Sequence, residues 1–296
     1  MKSVLITGAS GLIGKELVRK LKDKGYQVRT LSRHKSEHNF YWNPKEGNIE
    51  ETAFENLNAI IHLAGASISK RWTKTYKKEI YDSRIQTANL LYEYAKRLNI
   101  PLKTFITASG TNYYGTQTTS QIFQENELPG DDFLAKVCYE WEISAAQFEN
   151  LGARICSVRT SAVLSNKGGM LRELNPLAKL YLLSPLGSGK QILPWIHIED
   201  MLNIYIHLLE NEHLSGAFNA ATSDVVNNSD FTKTLMKMKG RKVVLPAVPS
   251  FVLKLALGEM SSILLEGTAI SNEKIKATGF QFQYETLKNA LENLEK

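Results

Sequence analysis

The segment Thr7-Gly8-Ala9-Ser10-Gly11-Leu12-Ile13-Gly14 constrains this chain more than any other. It follows a short apolar run, Val4-Leu5-Ile6, of the kind that forms a strand buried on both faces. It leads into Ile13, Leu17 and Leu21, which recur at the spacing of one helical face until Gly25 ends the run. A Gly-x-x-Gly-x-x-Gly turn between a first strand and a first helix suits a dinucleotide. Gly8 permits the tight turn, Gly11 lets the backbone approach a pyrophosphate, and Gly14 lets the helix pack closely on the strand. The helix N-terminus offers unpaired N–H groups to the phosphates, with Ser10, Leu12 and Ile13 around them.

Further along, apolar runs at Tyr26 to Leu31, Ala59 to Leu63, Phe105 to Ala108 and Ile155 to Val158 read as strands. Two helical patterns separate them, one through Tyr81, Ile85, Ala88, Tyr92, Ala95 and Leu98, the other over residues 132–149. Alternation of this kind implies right-handed crossovers and a parallel sheet. Phe40-Tyr41-Trp42 forms a candidate short strand. After about residue 160, Gly and Pro break the chain into short pieces, and a helix at Glu199 to Glu210 with a strand near Ala217-Phe218 returns to the sheet. The expected fold is α/β, a Rossmann-like doubly wound parallel sheet with a smaller, mostly helical C-terminal lobe. Residues 1–220 form the cofactor domain, with 160–195 partly contributing to the substrate lobe, and residues 221–296 form a small substrate or lid domain.

Composition narrows the class. Hydrophobic content of 43% and charged content of 22% exclude a disordered chain. The net charge of +6 is mild for 296 residues and reads as solubility, not as a nucleic-acid surface. Cys138 and Cys156 are too few for a disulfide framework and are not spaced as a metal site. The N-terminal apolar run is too short for a signal peptide, and no stretch approaches a membrane span. A reducing cytoplasm is the expected location, with no membrane partner.

The second strand ends at Leu31-Ser32-Arg33, 19 residues past Gly14. An acidic residue here would hold the ribose hydroxyls of NAD. Arg33 instead can pair with a 2′-phosphate, and Ser32, His34 and Lys35 stand beside it. The expected cofactor is NADP(H).

With these residues in place, the chain resembles the extended short-chain dehydrogenase/reductase superfamily, in its nucleotide-sugar epimerase-like branch. The resemblance rests on the glycine turn, His62-Leu63-Ala64-Gly65, Ala108-Ser109, Tyr114-Gly115 and Trp195-Ile196-His197-Ile198-Glu199-Asp200. More narrowly it resembles the atypical subgroup of NAD(P)-dependent epimerase-like proteins called "epimerase family protein", of the YfcH type. Arg71-Trp72, Ser83-Arg84-Ile85, Phe133-Leu134-Ala135, Cys138, Trp141-Glu142 and Gly187-x-Gly189-x-Gln191 carry that match, with a C-terminal segment of unassigned function. The resemblance implies that Leu63, Ala64 and Gly65 border the cofactor's ribose and pyrophosphate. Small residues at a strand's carboxyl edge are also what close approach by a dinucleotide requires.

One departure bears on chemistry. The superfamily reaction uses a Tyr-x-x-x-Lys pair, in which lysine and oxidised nicotinamide lower the tyrosine pKa. Aligning Glu142 with the acidic residue after that lysine puts Leu134 at the tyrosine position and Cys138 at the lysine position. Literal strings at Tyr41/Lys45, Tyr92/Lys96 and Tyr284/Lys288 do not fall on the relevant helix, and Lys136 points about 200° away from Cys138. The remaining catalytic candidates are Ser109, Thr111, Tyr113 and Tyr114. Ser109 or Thr111 could donate to a carbonyl, and Tyr113 or Tyr114 could supply a proton.

On the substrate side, Lys70, Arg71, Lys74, Lys77 and Lys78 form a basic run that could gather an anionic substrate, and Gly187 to His197 reads as a loop feeding a buried strand. No second ligand at metal spacing accompanies His197, so no metal site is expected. The expected function is an NADPH-dependent oxidoreductase or sugar-nucleotide epimerase-like enzyme lacking the usual pair, acting on a small-molecule substrate, anionic or a nucleotide sugar. The alternative is a non-catalytic NADP(H)-binding regulator or scaffold.

Overall fold

Short strands rich in branched side chains alternate with amphipathic helices, and each pairing buries one apolar stripe against the sheet. The computed structural model describes residues 2–295. The first units are β1 (Ser3–Thr7), α1 (Leu12–Asp23), β2 (Gln27–Ser32), β3 (Phe40–Asn43), β4 (Asn48–Ile49) and β5 (Ala59–His62). Then follow α2 (Lys74–Arg97), β6 (Thr104–Gly110), β7 (Ile122–Phe123), α3 (Phe133–Ala146) and β8 (Arg154–Thr160). The chain continues through β9 (Ala162–Ser165), β10 (Gly168–Gly169), α4 (Met170–Lys179), β11 (Trp195–His197), α5 (Ile198–Glu210) and β12 (Gly216–Ala220). The tail holds α6 (Asn228–Met238), α7 (Ser250–Leu257), α8 (Ser262–Leu265), β13 (Ala269–Ile270), α9 (Glu273–Ala277) and α10 (Leu287–Leu294).

Eight strands form one sheet in the order β12-β8-β6-β5-β1-β2-β3-β4, parallel throughout except for the terminal β3–β4 pair. This is the Rossmann-like doubly wound sheet that the strand–helix alternation predicts. The order reverses at β1, with β2 on one side and β5 on the other. Helices α1 and α2, which follow β1 and β5, therefore pack on opposite faces of the sheet, and the crevice between the two departing connections is the place where such sheets bind ligands.

Both central strands are fully buried. Val4 and Ile6 face one core with Ile61 and Ile106, while Leu5 faces the other with Ile60 and Phe105. That alternation is the two-residue period of a strand covered on both sides. The second helical pattern ends earlier than its composition predicts. At Ala146 the α-helix gives way to a 3-10 turn over Gln147–Leu151, closed by Gly152 at φ 77°.

Two small sheets lie outside the main one. β11 is buried, as expected of the Trp195 segment, but it pairs in parallel with β9, not with the main sheet. In the tail, β13 pairs in parallel with β7. The core on the α1 side runs through α5 to Phe231, Ile275, Leu287 and Leu291, so the tail helices complete that face. Asp200, fully buried at the start of α5, accepts from the backbone N–H of Gln283 at 2.8 Å and of Tyr284 at 3.0 Å. No described helix is long and apolar enough to cross a membrane.

Replacing Asp200 with Ala removes the acceptor for two N–H groups that tie the tail to α5. Urea unfolding should show a loss of about 2 kcal/mol, with faster proteolysis in the 280s; an unchanged midpoint would mean the tail is held by its apolar contacts alone.

Candidate functional site

The turn after β1 is tight because backbone meets backbone. Gly8 has φ 69°, and a Cβ there would lie 2.7 Å from the carbonyl carbon and oxygen of Leu63. Thr7 completes the junction: its hydroxyl accepts from Leu63 N–H at 3.2 Å and Ala64 N–H at 3.1 Å. A Cβ on Gly14 would run into the Gly8 carbonyl, so only glycine lets α1 start this close to the strand. Gly11 donates to the Gly8 carbonyl at 2.9 Å and serves as the N-cap of α1.

That cap has no side-chain hydrogen bond, and the first turn of α1 has no acidic residue. The leading N–H groups are thus left for an anion, at the positive end of a 12-residue helix. Ser10 and Gly11 are exposed beside it, Ile13 is half-buried, and the Leu12 side chain packs toward Gly168 and Gly169. Arg33 is exposed one residue beyond β2, the parallel neighbour of β1. Leu63 and Ala64 are half-buried and Gly65 exposed on the facing lip.

Across from this crevice lies a cavity of about 360 Å³. Ser109 and Thr111, at the end of β6, line it together with Leu134, Cys138 and Trp141 of α3. The tail supplies the opposite wall, from Ile263 to Ile270. Gly267 makes that closure possible, since a Cβ there would collide with the Ile192 carbonyl. Leu134 and Cys138, placed by alignment at the tyrosine and lysine positions, are therefore both cavity-wall residues. Burial, reinforced by the Glu142 carboxylate, pushes the Cys138 thiol up to about 11, so it stays protonated. Tyr41, Tyr92 and Tyr284 line no part of the cavity.

The four catalytic candidates separate. Ser109 and Thr111 reach the cavity, whereas Tyr113 and Tyr114 pack with Phe123, Ala221 and Ile270. The Ser109 hydroxyl donates to Glu142 Oε1 at 2.7 Å. Glu142 pairs with buried Arg159 through two bonds of 2.9 Å, from Nε and Nη2. Arg159 Nη1 donates to the Tyr114 hydroxyl at 2.9 Å, and Tyr114 donates to Asn219 Oδ1 at 2.7 Å. Burial pushes the Tyr114 phenol up to about 12. Tyr113 lies with its ring 3.4 Å from the Arg159 guanidinium carbon, and burial raises its pKa as well. Desolvation alone would lower the Arg159 pKa, but the Glu142 carboxylate outweighs it and raises the value.

A second network fixes the α2 side. Trp141 Nε1 donates to His62 Nδ1 at 3.1 Å, so the His62 proton sits on Nε2, 2.9 Å from the Thr87 hydroxyl. Thr87 in turn donates to the Ser83 carbonyl at 2.8 Å. Burial, with the Arg84 charge nearby, lowers the His62 pKa from 6.5 to about 3. Three cations of the basic run that leads into α2 are engaged by neighbouring side chains. Lys77 pairs with Glu259, Lys78 with Asp82, and Lys70 lies over the Tyr76 ring.

Arg159 and Gly267 escaped the sequence-based selection. A charge directly after the apolar run Ile155–Val158 was the available signal for the first, and nothing local marks the second. Arg84 stood in the sequence only as part of a family match.

Residues 4–221 match the family model described as the NAD dependent epimerase/dehydratase family, and residues 248–294 match a domain of unknown function (DUF1731). The chain belongs to the NAD-dependent epimerase/dehydratase family. It is 37% identical over 300 residues to "Epimerase family protein SA0724" of Staphylococcus aureus (strain N315), covering 100% of both chains. Human epimerase family protein SDR39U1 (isoform 2), whose crystal structure is with NADPH, superposes with a TM-score of 0.87 at 29% identity, covering 99% of this chain and 98% of that one. The nucleoside-diphosphate sugar epimerase from Corynebacterium glutamicum superposes with a TM-score of 0.81 at 27% identity, covering 99% of this chain and 58% of that one. Within this epimerase-family frame, α3 carries Leu134 and Cys138 on the cavity wall and Glu142 in the Arg159 pair.

Breaking the buried pair leaves Arg159 without its counter-charge. Glu142→Gln should cost about 3 kcal/mol in urea unfolding, and a cost under about 1 kcal/mol would show that the neighbouring hydroxyls suffice. His62 gives a pH signature. Its folded pKa is depressed, so the unfolded chain takes up a proton that the folded chain refuses as pH falls from 6.5 toward 3. Stability present above pH 6.5 is lost across that window, by up to about 1.4 kcal/mol per pH unit. His62→Asn should flatten the wild-type slope between about pH 6 and 4.5; parallel slopes would mean that His62 titrates normally.

Proposed function

We propose that this chain is an NADP(H)-dependent enzyme of the oxidoreductase or epimerase type, working in the cytoplasm on a small molecule and lacking the usual Tyr-x-x-x-Lys pair. The observation that carries the proposal is the uncapped N-terminus of α1, set over the Gly8–Gly14 turn with Arg33 exposed at the end of the adjacent strand. The glycine turn with Ser10, Leu12 and Ile13 takes the pyrophosphate. Leu63, Ala64 and Gly65 border the ribose, and Arg33 pairs with a 2′-phosphate. The NADPH in the human SDR39U1 structure supports the same cofactor for this chain.

When bound, the nicotinamide accepts or supplies a hydride. The chain's own part is to hold a carbonyl or alcohol in the cavity and to manage its proton. Thr111, half-buried in the cavity wall, is the better placed donor. Ser109 also lines the cavity, but its hydroxyl is already committed to Glu142. Proton exchange then runs through Thr111 and water, not through a tyrosinate.

The second reading is a non-catalytic NADP(H)-binding regulator. Leu134 and Cys138, which the resemblance puts at the tyrosine and lysine positions, favour it, because the cavity wall there offers an apolar side chain and a protonated thiol.

Purified protein saturated with NADPH and offered a panel of carbonyl compounds and nucleotide sugars separates the two. Cofactor binding without oxidation or epimerised product across the panel selects the regulator. For the cofactor itself, Arg33→Asp should weaken NADPH binding at least about tenfold more than NADH binding, the loss of one charge-assisted phosphate contact. Equal effects on the two nucleotides would sink the 2′-phosphate assignment.

A further inference from the structure

Arg84, on α2, is the only cation among the described residues lining the cavity. Its Nη1 donates to the Ile80 carbonyl at 2.9 Å and its Nη2 to the Ala66 carbonyl at 3.0 Å, with the Ser83 hydroxyl 3.5 Å from Nη1. No carboxylate among the described residues pairs with it, in contrast to Arg159 with its bidentate Glu142. Cys138, on the cavity wall, is a protonated thiol, and the cavity-lining carboxylate, Glu266, bonds the Thr118 hydroxyl.

A guanidinium keeps its proton under all working conditions, so among the described residues two carbonyl dipoles, a marginal hydroxyl contact and the Trp141 ring, with no counter-ion, offset a full charge in a partly desolvated place. Its surroundings are also close. A Cβ on Gly65 would lie 2.9 Å from Cζ and 3.1 Å from Nη2, so bare backbone rests against the guanidinium. The Trp141 ring is centred 5.0 Å from Cζ, and Trp141 is itself fixed by neutral His62. Each terminal nitrogen spends one N–H on a carbonyl and Nε makes no hydrogen bond among the described residues, so the cavity-lining guanidinium keeps N–H donors for recognition. An edge of parallel N–H donors matches a coplanar carboxylate.

We propose that Arg84 anchors a carboxylate of the substrate, and that the cavity takes a small carbonyl or hydroxy acid. The inference rests on the cofactor-dependent reading above and gives its substrate a chemical class. The volume of about 360 Å³ agrees, being near the lower end for ligand pockets and suited to a small acid more than to a whole nucleotide sugar. None of the cations of the surface run Lys70–Lys78 lines the cavity, so the anion-binding role inside it falls to Arg84.

The test is calorimetric titration of oxalate into the NADPH-saturated full chain, for the wild type, Arg84→Gln and Arg84→Lys. Oxalate should bind the wild type, about 30-fold more weakly to Arg84→Gln, and with intermediate strength to Arg84→Lys, which keeps the charge but loses the fork. NADPH affinity should stay within about twofold in all three, a readout that a general packing defect would move. Wild type that ignores oxalate, or Arg84→Gln that binds it equally well, overturns the proposal. A loss of NADPH affinity with oxalate binding unchanged also overturns it and assigns Arg84 to the cofactor. Inorganic phosphate binding more tightly than oxalate rejects the carboxylate in favour of a phosphate. If the wild type fails to bind NADPH, the cofactor reading falls, and oxalate titrated into the nucleotide-free chain still decides the anchor by the same comparison.

Discussion

The carboxyl ends of β1 and β5 touch through bare backbone, and the molecule is arranged around that approach. Gly8 faces the Leu63 carbonyl at a distance that no Cβ could tolerate, while Thr7 holds the Leu63 and Ala64 amides. Because the strand order reverses here, the junction opens a crevice in place of a continuous edge. Gly14 then lets α1 begin directly over the opening, with its N–H groups unshielded. The same lip continues into Gly65, whose missing side chain lets Arg84 lie against the backbone. One backbone contact thus positions both the anion-binding turn and the cation of the cavity.

Two guanidiniums show opposite solutions to burial. Arg159 has a carboxylate, a phenol hydroxyl and the Glu125 carbonyl, so its donors are nearly all used. A network satisfied to that degree is rigid, and it also ties up Tyr114 and, through Glu142, Ser109. Arg84 has two carbonyl dipoles, a distant hydroxyl and an aromatic ring, but no carboxylate among the described residues. The difference separates a cation that holds the protein together from one whose charge is still open to a ligand.

Much of the fold was legible because strand and helix periods are local. The buried character of β1 and β5, the helix after the glycine turn and the return of the chain at β12 all follow from short-range patterns. Within the candidate site, Ser109 and Thr111 do line the cavity as their place after a strand implies. Tyr113 and Tyr114 do not, because a 3-10 turn over Thr111–Tyr114 carries their rings into the Arg159 network. That outcome depends on Arg159, 45 residues beyond Tyr114, and on Asn219, 105 residues beyond it. Such pairings leave no trace in local spacing.

The sequence by itself determined the glycine turn, the sheet class and the presence of a cation after the second strand, since each depends on neighbours within a turn or a period. Tertiary structure alone decided which polar groups meet. It set Glu142 against Arg159, left Arg84 without a carboxylate among the described residues, and let Gly267 bring the tail against Ile192 to close the cavity. The physical reason is range. Backbone conformation is chosen by adjacent residues, whereas the desolvation and pairing of a charge depend on whatever the fold brings beside it.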